Sequence, residues 1–197
     1  MRTLPQTRSS PISRSRVAAT AAAGLVLLWL TGASARPDPV GAAAEPVAAS
    51  SQRAATDEFS IARILARTNP QLAEPELARI ARAVLRYSAK YDLDAELVTA
   101  VILVESSALP SARSPKGAMG LMQVMPAMLE PLRLVGNFTT VESNIEAGCL
   151  ILADNIRRMG EGDGILAYFW GPNIRGVAYL ERVRAAQAEV RRQLRSS

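Results

Sequence analysis

The sequence predicts an all-α protein. Apolar residues recur at spacings of three and four over several long stretches, and no stretch reads as a convincing strand of a parallel sheet. No internal repeat is present. A chain of 197 residues can build one sizeable core, and is too short for two ordinary domains once its N-terminal segments are set apart.

Residues 1–35 carry Arg2, Arg8, Arg14 and Arg16 with no acidic residue, then an apolar run from Val17 to Leu30, then Ala33-Ser34-Ala35. A positive start, an apolar centre and a small-x-small triplet make up a secretory signal peptide. No twin arginine is present and no Cys follows the apolar run, which disfavours Tat export and a lipoprotein anchor. Val17 to Ala35 is also just long enough for an uncleaved N-terminal anchor; its Ala- and Gly-rich composition and the terminal triplet favour cleavage. Residues 36–70 are expected to be a flexible linker, rich in Ala, Pro and Ser at first. Within it, Asp57 to Thr68 is open between a short packed helix and disorder.

The folded body is expected over residues 71–197. Pro75 suits the first turn of a helix carrying Leu77, Ile80, Ala81, Val84, Leu85 and Ser88 on one side and Arg79, Arg82, Arg86 and Lys90 on the other. Asp94 is an N-cap candidate for a second helix, apolar all round from Leu97 to Val104. A strand can be drawn through that run, but its length and the leading Asp94-Ala95-Glu96 favour a buried helix. Pro110, Pro115, Gly117 and Gly120 mark a loop. Ile145, Cys149, Leu152, Ile156 and Met159 step along a third helix that Gly160 ends. A short Ile165–Tyr168 segment breaks at Gly171-Pro172, and a last helix is expected from about Ile174 to Leu194.

Charge and absences narrow the chemistry. The chain is +5 with a pI near 10.0. Residues 1–35 hold four of the 23 basic residues and none of the 18 acidic ones, so the remainder is only +1. The usual inference from a basic chain to nucleic acid therefore lapses. There is no histidine, which removes Ser-His-Asp and Cys-His catalysis and the common zinc sites. The single Cys149 excludes an intrachain disulfide and sits in an apolar helical pattern, where a cysteine behaves as a small hydrophobe. No metal and no cofactor are expected.

Glu105 follows directly on the all-apolar helix. Desolvation and the negative helix end both disfavour its charge, and a carboxyl held protonated near neutral pH is what a general acid needs. Position alone equally admits a glutamate that turns into solvent. Downstream, Ser114 and Gln123 bracket a segment with two glycines and offer hydrogen bonds to a polar ligand. Met122 and its neighbouring methionines offer adaptable apolar surface to a sugar face, with ordinary core filling as the other reading.

These residues carry a resemblance. Glu105-Ser106, then Ser114-x-x-Gly117-Ala118-x-Gly120-Leu121-Met122-Gln123-x-Met125-Pro126, resembles the signature of soluble-type (SLT) lytic transglycosylases. Asn144-Ile145-x-x-Gly148, Ala167-Tyr168-x-x-Gly171-Pro172 and Tyr179-Leu180 with Val183 resemble the family's later motifs in the same order. The resemblance covers roughly residues 93–183. It implies a lysozyme-like, goose-type helical domain with a substrate groove, acting on the MurNAc-β-1,4-GlcNAc bond of peptidoglycan. It gives Glu105 the place of the catalytic glutamate, Ser114 and Gln123 those of substrate contacts, and Tyr168 that of the tyrosine whose hydroxyl lies beside the catalytic carboxylate.

The sequence departs from the family where Phe169-Trp170 replaces Asn-Ala. These aromatics either fill core or add a stacking surface to the groove; Phe169 is taken as a groove contact because it adjoins Tyr168. A threonine near the Met-Pro motif is Met128 here. Two rivals stand beside the transglycosylase: a hydrolytic muramidase, with Glu130, Glu142 or Glu146 as a second carboxylate, and a non-catalytic peptidoglycan-binding module. Glycan strands of peptidoglycan are the expected partner and the cell envelope the expected place. Membrane contact would come only through an uncleaved N-terminus. An envelope-spanning machine is compatible with the linker, as it would be with any linker.

Overall fold

A computed structural model describes residues 47–128 and 138–196. The signal-peptide segment, the first part of the linker and Glu130 lie outside the described residues. Six α-helices are described: α1 (Val47–Thr68), α2 (Glu74–Lys90), α3 (Ala95–Ser106), α4 (Val141–Met159), α5 (Glu161–Trp170) and α6 (Ala178–Arg195). A single 3-10 turn, Pro126–Met128, follows the long loop after α3, and the only β-structure among the described residues is two isolated bridges inside that loop. The all-α class expected from the sequence is what the described residues adopt. No helix among them is long and apolar enough to cross a membrane.

The core is built around α3, in which Leu97 to Ile102 are buried without a break. A helix buried on all sides must be enclosed, and α2, α6 and α1 pack around it while α4 packs on α5 and α2. The amphipathic stripe of α2 supplies Leu77, Ile80, Ala81 and Val84 to this core. Pro75 occupies the first turn of α2, and the helix is closed by Asp92 at φ 54° with the Leu93 N–H donating to the Ser88 carbonyl (2.9 Å). The strand alternative for 97–104 is thereby removed. Asp94 stands at the N-cap of α3 in an extended conformation, although its side chain makes no capping bond.

The expected linker is too long at its C-terminal end. Residues 47–68 are helical, and Ile61, Ile64 and Leu65 of α1 are buried, Ile61 and Leu65 within the main core. Spacings of three and four place these three on one face, and their burial outweighs the loose composition upstream. The folded domain therefore begins at α1 and not at residue 71.

Two ends differ in detail. The short segment expected at Ile165–Tyr168 is a ten-residue helix, α5, that stops at Gly171 (φ 69°). The last helix starts at Ala178 instead of near Ile174, because Gly176 lies in a connection whose carbonyl accepts the Trp170 indole N–H (3.2 Å). Cys149 is fully buried, and burial pushes its thiol up to about 12, as befits an inert core residue.

Candidate active site

α3 ends at Ser106, so Glu105 lies in its last turn, where the helix carbonyls present their negative end. Ser107 and Ala108 then take left-handed conformations (φ 51° and 59°), a sharp reversal that sends the chain back as the loop 109–125. Ser114 closes a turn within that loop. Its carbonyl accepts from the Gly117 N–H (3.0 Å), its N–H donates to the Ala118 carbonyl (3.0 Å), and its Oγ accepts from the Ala118 N–H (3.0 Å). The hydroxyl proton stays available for a ligand.

α4 fixes the same loop from below through the two distinctive residues of its Asn-Ile-x-x-Gly stretch. The buried Asn144 amide accepts from the Met122 N–H (2.9 Å) and donates to the carbonyls of Met119 (2.8 Å) and Phe138 (3.1 Å). A Cβ on Gly120 would lie 2.4 Å from the Asn144 amide, and Gly120 also holds φ 76°. At Gly148 a Cβ would lie 2.5 Å from Met122 Sδ. The spacing of Asn144 and Gly148 puts both on one face of α4, so the helix grips the loop with one and makes room for it with the other.

Loop and helices enclose a cavity of about 490 Å³, a usual size for a ligand site. Glu105, Ser114, Gln123, Tyr168 and Phe169 all line it, joined by Lys116, Val124, Met125, Ile151 and Trp170. Gln123 stands at φ 49°, and its Nε2 donates to the carbonyls of Gly120 (3.0 Å) and Ala112 (3.3 Å), leaving the amide oxygen for a ligand. Phe169 and Trp170 are exposed on the cavity wall (46% and 37%), not core, and meet edge to face at 5.0 Å.

One expectation is corrected. Met122 is not a groove contact: it is fully buried, its side chain packs over Gly148, and it serves the site through its backbone. Its carbonyl accepts the Tyr168 hydroxyl (2.8 Å), so Tyr168 braces the loop while its phenol feels the charge of Glu105. The hydroxyl bonded to the carboxylate is that of Tyr179 of α6, which donates to Glu105 Oε1 at 2.6 Å. Tyr179 is buried and stacks on Phe169 at 4.7 Å and 15°. The sequence marked Tyr179 only as part of a closing motif; nothing in its local pattern says that α6 crosses α3 at Glu105.

The electrostatics agree with an acid. Burial raises the Glu105 carboxyl above its ordinary value of 4.5, while the Tyr179 hydrogen bond and the charge of Arg182 pull it back. Burial, with the charge of Glu105, pushes both Tyr168 and Tyr179 well up, so both phenols stay protonated and act as donors. Oε1 is engaged by Tyr179, which leaves Oε2 to face a ligand. Of the proposed second carboxylates, Glu142 is held by Arg79 (two bonds of 2.6 Å) and Glu146 by Lys90 (2.5 Å). Neither lines the cavity, where Glu105 is the one carboxylate among the described residues.

Comparison with known proteins gives three findings. The transglycosylase SLT domain model matches residues 82–188. A transglycosylase of Enterobacteria phage PRD1 is 41% identical over 87 residues, covering 44% of this chain and 32% of the phage protein, so the match spans about a third of that relative. The lytic transglycosylase Slt of Pseudomonas aeruginosa, solved as an inactive mutant, shares 20% identity with a TM-score of 0.42 over 57% of this chain and 22% of that one.

Proposed function

The chain belongs to the transglycosylase SLT domain family, and from that membership we propose that it cleaves the glycan of peptidoglycan without water, between N-acetylmuramic acid and N-acetylglucosamine. The observation that carries this reading is the half-buried Glu105 on the cavity wall, the one carboxylate there among the described residues, held by Tyr179. A two-carboxylate hydrolysis needs an acid plus a base or nucleophile about 5 to 9 Å apart, and among the described residues the cavity has one carboxylate.

One carboxyl suffices when the nucleophile is part of the substrate. Glu105 Oε2 gives its proton to the glycosidic oxygen as the bond to muramyl C1 breaks. The muramyl N-acetyl group supports the positive charge that develops at C1. Glu105, now a carboxylate, takes the proton from the muramyl 6-hydroxyl while that oxygen bonds to C1. The products are a free N-acetylglucosamine 4-hydroxyl and a 1,6-anhydro-muramyl end, and Glu105 is protonated again. A group that alternates in this way works best with an acidity near the working pH. Burial supplies the upward push, and Tyr179 and Arg182 keep the carboxylate accessible for the second half.

The substrate lies outside the cytoplasm, and the N-terminal pattern of residues 1–35 supports export to the envelope. Mass analysis of the soluble products released from purified sacculi tests the reaction. Anhydro-muropeptides are expected. Reducing-end products would replace it with a muramidase, and binding without release would leave a non-catalytic module.

A further inference from the structure

Beside the cavity stands a charged group that the reaction as described does not use for binding. Arg182 is exposed on α6, with its guanidinium 6.0 Å from the Phe169 ring centre and 5.7 Å from that of Tyr179. Several cations of the domain meet carboxylates, among them Arg79 with Glu142, Arg82 with Glu58, Lys90 with Glu146 and Arg191 with Glu96, while others, such as Arg63 and Arg86, lie over aromatic rings away from the cavity. Arg182 has no such partner among the described residues. Its flat guanidinium rests instead against aromatic rings, which fix its position while leaving its outer donors open. It does not line the cavity, but Phe169, which does, lies next to it. Its charge also reaches Glu105, so it stands near the reacting bond.

Position decides what such a group can recognise. On the peptidoglycan reading the cavity takes sugar rings, and the lactyl-peptide side chain of muramic acid branches from the ring toward the groove's rim. A side chain leaving over Phe169 passes Arg182, and that side chain carries carboxylates. Phe169 and Trp170, exposed where the family has a small polar pair, give its apolar portions a surface to lie on. We propose that Arg182, with Phe169 and Trp170, forms a subsite for a carboxylate of the muramyl lactyl-peptide side chain, which makes the protein selective for acidic strands. The inference rests on the peptidoglycan reading above and assigns a specificity to the same site.

Three substrates test it with the full chain: strands with intact stem peptides, the same strands with peptide carboxylates amidated, and strands stripped of peptides so that only the lactyl carboxylate remains. The unaltered protein should cut intact strands with about fivefold higher kcat/KM than amidated ones, mostly through KM, the scale of a partly exposed ion pair. Arg182→Gln should bring that ratio near one even where its absolute rate falls on every strand, because the charge of Arg182 also acts on Glu105, and Arg182→Lys should restore part of the ratio. A preference retained on stripped strands identifies the lactyl carboxylate, and one lost there identifies the peptide's. An unaltered protein indifferent to amidation, or an Arg182→Gln variant with the ratio intact, overturns the subsite. Binding of a Glu105→Gln variant to the same three strands separates the two ideas. Selective binding by that variant, with no anhydro product from the unaltered protein on any strand, overturns the reaction and leaves the subsite standing.

Discussion

Glu105 and Tyr179 act as one unit, and their substitutions separate chemistry from folding. Glu105→Gln keeps an acceptor for the Tyr179 hydroxyl but has no proton to give, so turnover should fall by at least about 100-fold with sacculus binding retained. Stability should move the other way. A carboxyl whose folded acidity is shifted upward by burial stabilises the fold below the unfolded value near 4.5 and loses that contribution as pH rises through the folded value. The Gln variant should therefore melt no lower than the unaltered protein at pH 7, with any gap closing below pH 4, as followed by circular dichroism. Tyr179→Phe removes a bond that favours the carboxylate, so Glu105 should rise further. The alkaline limb of the pH–rate profile should move to higher pH and kcat should drop about tenfold. An unmoved limb would show that Tyr179 does not tune the acid.

At the scale of elements, α4 and the loop 107–125 form the platform of the site. Asn144→Ala leaves the Met122 N–H and two carbonyls without their partner in a buried place, at a cost of about 2–4 kcal/mol measured by denaturant unfolding. Activity should fall more than stability alone explains, because Gln123 and Ser114 sit on the displaced loop. The chemistry of this platform was partly legible in the sequence. The Ser114–Pro126 stretch and the Asn144–Gly148 spacing were recognisable, yet nothing local said that they grip one another. Met122 shows the limit: a methionine beside two glycines suits a groove or a core equally, and only the approach of Gly148 decides for the core. Tyr168 and Tyr179 show the same limit, since both phenols lie near Glu105 and the packing of α6 on α3 selects which one binds it.

The described residues from α1 to α6 share one core with its groove on the surface, and their helical class followed from periodicity that burial then enforced. The domain edge was less legible. The face formed by Ile61, Ile64 and Leu65 is short and follows a long Ala- and Pro-rich tract, so composition masked it. Each of those side chains stabilises by roughly 1.5–3 kcal/mol on burial, which together rivals the net stability of a small domain. A chain starting at Val47 should fold and keep its activity, whereas one starting at Pro75 should be largely unfolded at 37 °C by circular dichroism. Equal melting of the two would show α1 to be dispensable. The central claim, however, is that one half-buried glutamate cuts the glycan with the substrate's own hydroxyl as nucleophile. Digestion of sacculi in heavy-oxygen water tests it most directly: 1,6-anhydro ends without heavy oxygen, absent with Glu105→Gln, are the predicted result, and muramyl reducing ends carrying heavy oxygen would contradict it.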